Sequence, residues 1–328
     1  MKVAFVYPGQ GVQKVGMAHE ILSTFPKAQE VIEEADSVLP FDLQELLLED
    51  KGHLLSQTRY AQPALVAVSL AIEKVLEDMG IQPDFVAGLS LGEYPALVSS
   101  GAIGRQAAFS LIDKRASLMQ EAVPPGKGTM MAVLGEEDVT VEEACQAIQA
   151  QGLYVAPANY NTPGQVVVGG SLEGVDALKN YLQEKGIKKV IPLQVSGPFH
   201  TEMMQEATHQ MAGVLAQVDW RTPKIPVYSN VTGVWHQPDQ FGQNLAEQIS
   251  QPVRWKEIVG HMLEQDVDVF VEVGPGKSLS QMIKKIAQGQ NKTIHLFQVD
   301  TIANLRSLAQ FFDVKPSHIE DKGAYNDI

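Results

Sequence analysis

The chain has 328 residues, enough to bury a large core and to divide into two lobes, and its 45% hydrophobic and 20% charged residues are those of a globular protein. No apolar run approaches the ~20 residues of a membrane span, and a formal net charge of −14 opposes general binding to nucleic acid. Cys145 is the single cysteine, which excludes an intrachain disulfide and a cysteine cage for a metal, so the expected setting is a reducing cytoplasm.

Strand-like and helix-like runs alternate along the chain, the pattern of an α/β protein. The N-terminus lacks the long apolar segment and cleavage site of a signal peptide and reads as a core strand over 2–7, followed by the turn Gly9-Gln10-Gly11. A strongly apolar helix is predicted over 62–79, a strand over 85–87 and an amphipathic helix over 106–121. The next segment reads as strand 128–134, helix 141–150, strand 154–159, strand 165–169, helix 172–185 and strand 188–193. That βαββαβ order is the ferredoxin-like arrangement. Pro and Gly punctuate its two ends, at 123–126 and 195–198. The expected organisation is a small lobe over 124–196 inserted into a large lobe made of 1–123 and 197–315, with a polar, frayed tail at 316–328. In the second half of the large lobe a helix is predicted over 202–217, a strand over 227–230, and helices over 243–249 and 253–264. A buried strand over 267–273 then ends at Gly274-Pro275-Gly276, and a helix follows over 278–287.

Gly88-Leu89-Ser90-Leu91-Gly92 stands between the strand 85–87 and the helix-like Glu93-Tyr94-Pro95-Ala96-Leu97-Val98. A G-x-S-x-G between strand and helix is a nucleophile elbow, in which flanking glycines permit a turn sharp enough to expose the serine hydroxyl. The helix that follows aims its free N–H groups at charge developing beside that hydroxyl. A serine needs a positioned base. Of the eight histidines, His200 has the most suggestive setting, after a Gly-Pro turn, before a helix and at a lobe boundary; the competing reading is a packed or capping histidine. Other motifs fail. Gly9-Gln10-Gly11 has Lys14 where a dinucleotide fingerprint needs a third glycine, and Gly274-Pro275-Gly276-Lys277-Ser278 would need its first phosphate-loop glycine at Val271, inside a strand. The histidines show no metal-ligand spacing, so neither cofactor nor metal is indicated.

A longer pattern runs in order along the chain. It comprises Pro8-Gly9-Gln10-Gly11-Val12-Gln13, Gln62-Pro63-Ala64, Gly88-Leu89-Ser90-Leu91-Gly92-Glu93-Tyr94, Lys114-Arg115 and Asn159-Tyr160-Asn161-Thr162-Pro163-Gly164-Gln165. Gly197-Pro198-Phe199-His200, Pro252-Val253-Arg254-Trp255 and Glu272-Val273-Gly274-Pro275-Gly276-Lys277 complete it. From about residue 1 to residue 300 the chain resembles the malonyl-CoA:acyl carrier protein transacylases of bacterial fatty acid synthesis. Close relatives of these are the acyltransferase domains and free-standing acyltransferases of polyketide synthesis. The resemblance implies an α/β fold with a large α/β-hydrolase-like lobe built on a parallel sheet and an inserted ferredoxin-like lobe.

It also implies roles. Ser90 would be the nucleophile, His200 its base and the backbone carbonyl of Gln248 the anchor of the second ring nitrogen, where a hydrolase triad has aspartate. The backbone N–H groups of Gln10 and Leu91 would form the oxyanion hole. Arg115, otherwise readable as a surface ion-pair residue, would clamp the malonyl carboxylate with two parallel hydrogen bonds. Phe199 would crowd an α-methyl group and so favour malonyl over methylmalonyl, the alternative being simple packing. Asn159, Asn161 and Asn230 would shape the pocket. Two departures stand out: Leu89, where histidine is common, and Pro95, where serine is common; in a first helical turn a proline costs little.

The implied reaction is ping-pong transfer of malonyl from malonyl-CoA, through malonyl-Ser90, to the phosphopantetheine thiol of acyl carrier protein, by a monomeric enzyme needing no cofactor. An acidic carrier docking on an acidic enzyme would need a local lysine patch. The candidates are Lys185, Lys188 and Lys189, or Lys277, Lys284 and Lys285, each readable also as a solvated helix end. Rival readings are a polyketide acyltransferase, a serine thioesterase and a non-catalytic carrier-binding module.

Overall fold

The structure, a computed structural model, describes residues 1–124, 126–195 and 197–314. Pro125 and Ser196, at the two expected lobe boundaries, and the expected tail at 316–328 lie outside the described residues. In chain order, β1 (Val3–Tyr7) is followed by α1 (His19–Thr24), α2 (Pro26–Val38), α3 (Leu43–Leu48) and the long α4 (Thr58–Asp78). Next come β2 (Phe85–Gly88), α5 (Glu93–Ser99) and α6 (Arg105–Glu121). The middle of the chain holds β3 (Gly128–Leu134), α7 (Asp138–Gln149), β4 (Val155–Thr162), β5 (Gln165–Ser171), α8 (Leu172–Glu184) and β6 (Val190–Pro192). The remainder holds α9 (Gln205–Leu215), α10 (Phe241–Glu247), α11 (Trp255–Glu264), β7 (Val269–Val273), α12 (Ser278–Gly289), β8 (His295–Val299) and α13 (Ile302–Phe311).

Two sheets result. The first is parallel, in the order β2-β1-β7-β8, and every residue of β1, β2 and β7 is buried. Continuous apolar runs of this kind suit a parallel sheet covered on both faces. One face packs on α4, whose residues from Gln62 to Ile72 are all buried; the other packs on α11 and α12 through Trp255, Ile258, Ile283 and Ile286. The second sheet is antiparallel, in the order β4-β5-β3-β6, with α7 and α8 on one face. Its strands all fall between β2 and β7 in sequence, and its order is the expected ferredoxin-like one.

The expected elements recur with shifted ends, and one is corrected. The strand expected over 227–230 is no strand: Val227 makes a single parallel bridge to Val86, after which Ser229 N bonds Val234 O and the chain turns away. That turn delivers Asn230 to the Ser90 elbow, a task an extended strand could not perform. Sequence reading made no assignment for α1, α2, α3, β8 or α13. α1 and α3 have six residues each, too short for a clear periodicity, and β8 is only partly buried. α2 did carry a signal: Pro26 opens it, and Ala28, Val31, Ile32 and Ala35 form its buried stripe.

Crowding at the end of β1 makes a stability prediction. A Cβ on Gly92 would fall 2.2 Å from Tyr7 O, whereas one on Gly104 meets nothing within 4 Å. Gly92→Ala is expected to cost about 3 kcal/mol or more of unfolding free energy, and Gly104→Ala, an unstrained change at the N-cap of α6, to cost no more than ~1 kcal/mol. Chemical denaturation of the two variants checks the contrast.

Candidate active site

β2 ends at Gly88, and the chain reverses through a 3-10 turn, Ser90–Gly92, into α5. Ser90 takes φ 56°, a left-handed conformation costly for a residue with a Cβ and characteristic of strained functional turns. The flanking glycines are required by space: a Cβ on Gly88 would lie 1.9 Å from the Gly92 carbonyl carbon. Asn230 holds the turn from outside. Its Oδ1 accepts from Ser90 N at 2.6 Å, and its Nδ2 donates to Gly88 O at 2.7 Å.

His200, also left-handed at φ 61°, presents Nε2 to Ser90 Oγ at 2.8 Å. Its Nδ1 lies 2.7 Å from Gln248 O. A carbonyl only accepts, so Nδ1 carries the ring proton and Nε2 is left free to take one from the serine. Burial first, and then the charge of Arg115, pushes the His200 pKa down to about 4; the bond to Gln248 O offsets part of that fall. The imidazole is therefore neutral near pH 7, with Nε2 unprotonated and able to accept a proton. The pair is equipped for nucleophilic acyl chemistry.

Arg115 is fully buried on α6, which rules out the surface ion pair. It touches no carboxylate among the described residues. Nη1 donates to Gln62 Oε1 at 2.5 Å, and Nη2 donates to Gln248 Oε1 at 2.7 Å and to Ser90 Oγ at 3.1 Å. The guanidinium lies over the Tyr94 ring at 5.8 Å, a cation–π contact that helps compensate its desolvation. Its Nε is buried and makes no hydrogen bond. Nε and Nη2 share the edge of the guanidinium that accepts a carboxylate side-on.

The remaining expected residues take the following places. Leu89 N bonds Tyr7 O at 3.0 Å, so the strand carrying Tyr7 and Pro8 runs against the elbow and brings Gln10 toward it. Gln10 Nε2 donates to Thr58 Oγ1 at 3.1 Å, and its Oε1 is buried without a partner. Leu91 is buried inside the turn, and Phe199 is buried at the edge of the large core. Asn159 stands at a β-bulge of β4 and itself forms the parallel bridge to Val253; Asn161, also buried, has an Oδ1 with no hydrogen-bond partner among the described residues. Asn230 differs from expectation in manner: it braces the elbow backbone. Leu89, in place of the common histidine, packs over Gly9, and Pro95 sits buried in the first turn of α5, where no intrahelical N–H is lost.

Sequence reading missed the side chains behind these groups. Gln248 entered only as a carbonyl, yet its Oε1 meets Arg115 and its Nε2 donates to Ser90 O at 2.9 Å and to Glu93 Oε2 at 2.7 Å. Gln62 was noticed in a motif but assigned no role. Glu93 likewise stood in a quoted motif without a role, and His236 and Asn244 were not singled out at all. The available signal was Glu93 itself, an acidic residue directly after the elbow at the start of a helix that is otherwise apolar.

A strained elbow serine, an imidazole anchored by a carbonyl and a buried arginine beside the serine define a serine acyl-transfer enzyme on a parallel α/β sheet with an inserted antiparallel sheet. The acyl transferase domain family matches residues 4–310, and the chain belongs to that family. It is 39% identical to the malonyl CoA-acyl carrier protein transacylase of Bacillus subtilis (strain 168), over 92% of this chain and 95% of that protein. The crystal structure of MCAT from Streptococcus pneumoniae superposes with a TM-score of 0.89 at 44% identity, covering 94% of this chain and 100% of that one. A malonyl-transacylase in complex with its type II PKS acyl-carrier protein gives a TM-score of 0.90 at 36% identity, over 95% of this chain and 100% of that chain.

The lowered His200 pKa has two measurable consequences. Labelling of Ser90 by a fluorophosphonate is expected to keep a constant rate from pH 8 to about 5 and to halve near pH 4, where an unperturbed histidine would lose it near 6.5. Between pH 6.5 and about 4 the unfolded chain takes up the His200 proton before the folded one does. The stability held by the neutral imidazole is therefore complete above pH 6.5 and lost as pH falls to about 4, by an amount on the order of 3 kcal/mol. His200→Gln should flatten that part of the stability–pH curve.

Proposed function

We propose that this chain transfers a malonyl group from malonyl-CoA to the phosphopantetheine thiol of an acyl carrier protein in fatty acid synthesis, by a ping-pong mechanism through Ser90. The observation that carries the reading is the Nε/Nη2 edge of buried Arg115, beside Ser90 Oγ at 3.1 Å and free of any competing carboxylate. A malonyl ester on Ser90 would bring its free carboxylate to that edge, and only a planar guanidinium offers two parallel donors there. The relatives named as malonyl transacylases support the substrate, and the family supports the transfer chemistry.

In the first half-reaction Ser90 Oγ attacks the thioester carbonyl carbon and its proton passes to His200 Nε2. The backbone N–H groups of Gln10 and Leu91 hold the oxyanion. Collapse breaks the C–S bond, and CoA leaves as the thiol with the proton returned by His200. In the second half-reaction the carrier thiol gives its proton to His200 and attacks the ester carbonyl. Ser90 then leaves and is reprotonated. Phe199 narrows the pocket against an α-methyl group, and Asn159 and Asn161 line it. The two sheets act as lobes, a large one over 1–123 and 197–315 and a small one over 124–196, with the acyl site between them.

The acceptor brings its own acidic surface. Lys188 and Lys189 lie exposed beside the edge strand β6, Lys284 and Lys285 lie exposed on α12, and none of the four is held in an ion pair among the described residues. They are cationic groups available to an acidic carrier, as are the exposed Lys185 and Lys277 of the same two patches.

Intact mass spectrometry after brief incubation with malonyl-CoA is expected to show one malonyl adduct, absent in Ser90→Ala and discharged by holo carrier protein. Hydrolysis without discharge would make the protein a thioesterase. Arg115→Lys keeps the charge but loses the fork, and kcat/KM for malonyl-CoA is expected to fall ~10²-fold; unchanged malonyl kinetics would remove the clamp. Charge reversal at Lys188 and Lys189, or at Lys284 and Lys285, is expected to raise KM for the carrier several-fold while leaving formation of the malonyl adduct intact. If neither pair does so, the docking surface is elsewhere.

A further inference from the structure

Arg115 is a buried cation with no carboxylate in contact among the described residues, an arrangement that is strongly unfavourable unless a counter-charge acts on it from nearby. The anion whose field reaches it is Glu93, itself fully buried in the first turn of α5. One side chain separates them. Gln248 Oε1 accepts from Arg115 Nη2 at 2.7 Å, and Gln248 Nε2 donates to Glu93 Oε2, also at 2.7 Å. The amide dipole thus lies along the line from cation to anion, with its negative end on the guanidinium and its positive end on the carboxylate.

The rest of the Glu93 environment supports a carboxylate that only accepts. Asn230 N donates to Oε2 at 3.1 Å, and His236 Nε2 is bonded to Oε1. His236 Nδ1 is met by Asn244 Nδ2 at 3.2 Å, a donor. The hydrogen-bond network therefore leaves the ring proton on Nε2, where it is donated to Glu93. Three donors converge on Glu93 and none of its neighbours there offers it an acceptor. A glutamine amide can sit either way round. Here the all-acceptor character of Glu93 fixes it, because reversal would set the Gln248 carbonyl against the carboxylate and its NH2 against Arg115.

We propose that Glu93 is the counter-charge of Arg115, acting through Gln248. The intervening amide meets Nη2 with a neutral oxygen, so that no rival anion among the described residues stands at the edge where Nε is unpartnered and the carboxylate of the substrate would bind. A carboxylate in direct contact would neutralise Arg115 equally well but would compete with substrate for that edge. His236 and Asn244 hold Glu93, and Glu93 is a positioning residue, since it touches neither Ser90 Oγ nor the space at the free guanidinium edge. The inference rests on the reading of Arg115 as the malonyl carboxylate site.

The test is the ratio of acylation efficiencies, kcat/KM for malonyl-CoA over acetyl-CoA, because acetyl lacks the carboxylate but uses the same serine and base. Arg115→Ala comes first. If it leaves the ratio unchanged, the underlying reading of Arg115 fails and the proposal falls with it. Given a collapsed ratio in that control, Glu93→Gln is expected to lower the ratio at least ~30-fold while acetyl transfer changes less than ~5-fold, since the new amide presents a donor to its donors and turns Gln248 round. Equal loss for both substrates, or no loss, would show that Glu93 only supports the fold and would overturn the proposal. Should Glu93→Gln fail to fold, Gln248→Glu places a carboxylate directly on Arg115 and is expected to collapse the ratio as well. A retained malonyl preference in that variant would overturn the argument for a neutral intervening group.

Discussion

The end of β1 and the Ser90 elbow occupy a space too small for a single additional carbon. Gly92 packs against the carbonyl of Tyr7, Gly88 packs against the carbonyl of Gly92, and Leu89 N bonds Tyr7 O at 3.0 Å. The rest of the site depends on this contact between two backbones. It turns the chain through the left-handed Ser90 and starts α5 with Glu93 pointing inward. The strain at Ser90 is held by packing and by the two bonds to Asn230, whose segment runs along the edge of β2.

Electrostatics then divides the work among a few buried groups. One positive charge, Arg115, serves two purposes: beside Ser90 it offers an edge for a carboxylate, and beside His200 it disfavours the imidazolium. A base next to a cation stays unprotonated, while the carbonyl of Gln248 keeps its tautomer correct. Gln248 does both jobs with one residue. Its backbone oxygen orients the base and its side chain mediates between Arg115 and Glu93. The low dielectric that makes these interactions strong also makes each of them expensive to lose.

Much of the fold was legible because its signals are local. The ferredoxin-like segment announced itself through alternation of short periodic runs, and the elbow through glycine spacing that only close backbone contact explains. Legibility failed where local signal is weak. The six-residue helices α1 and α3 show little periodicity and β8 is a partly exposed edge, whereas α13 did carry a stripe, Leu305, Leu308 and Ala309, that was not read. At 227–230 it misled: four buried residues read as a strand, but the chain makes only two isolated bridges, Val227 to Val86 and Tyr228 to Trp235, and turns at Asn230.

Residue chemistry is carried by the sequence, and so Ser90, the turn that exposes it and the candidate base His200 are legible there, while the role of Arg115 is legible only through the family resemblance. Their relation to one another is not legible there. His200 stands 110 positions from Ser90 and Gln248 a further 48 from His200, so no local pattern ties the three. Whether Arg115 meets solvent or is buried, and which charge balances it, depends on how α6, α5 and the residue capping α10 close around one another. A side chain's charge is a property of its type. Its partner, its burial and hence its pKa are properties of the packed interior, which only the tertiary structure decides.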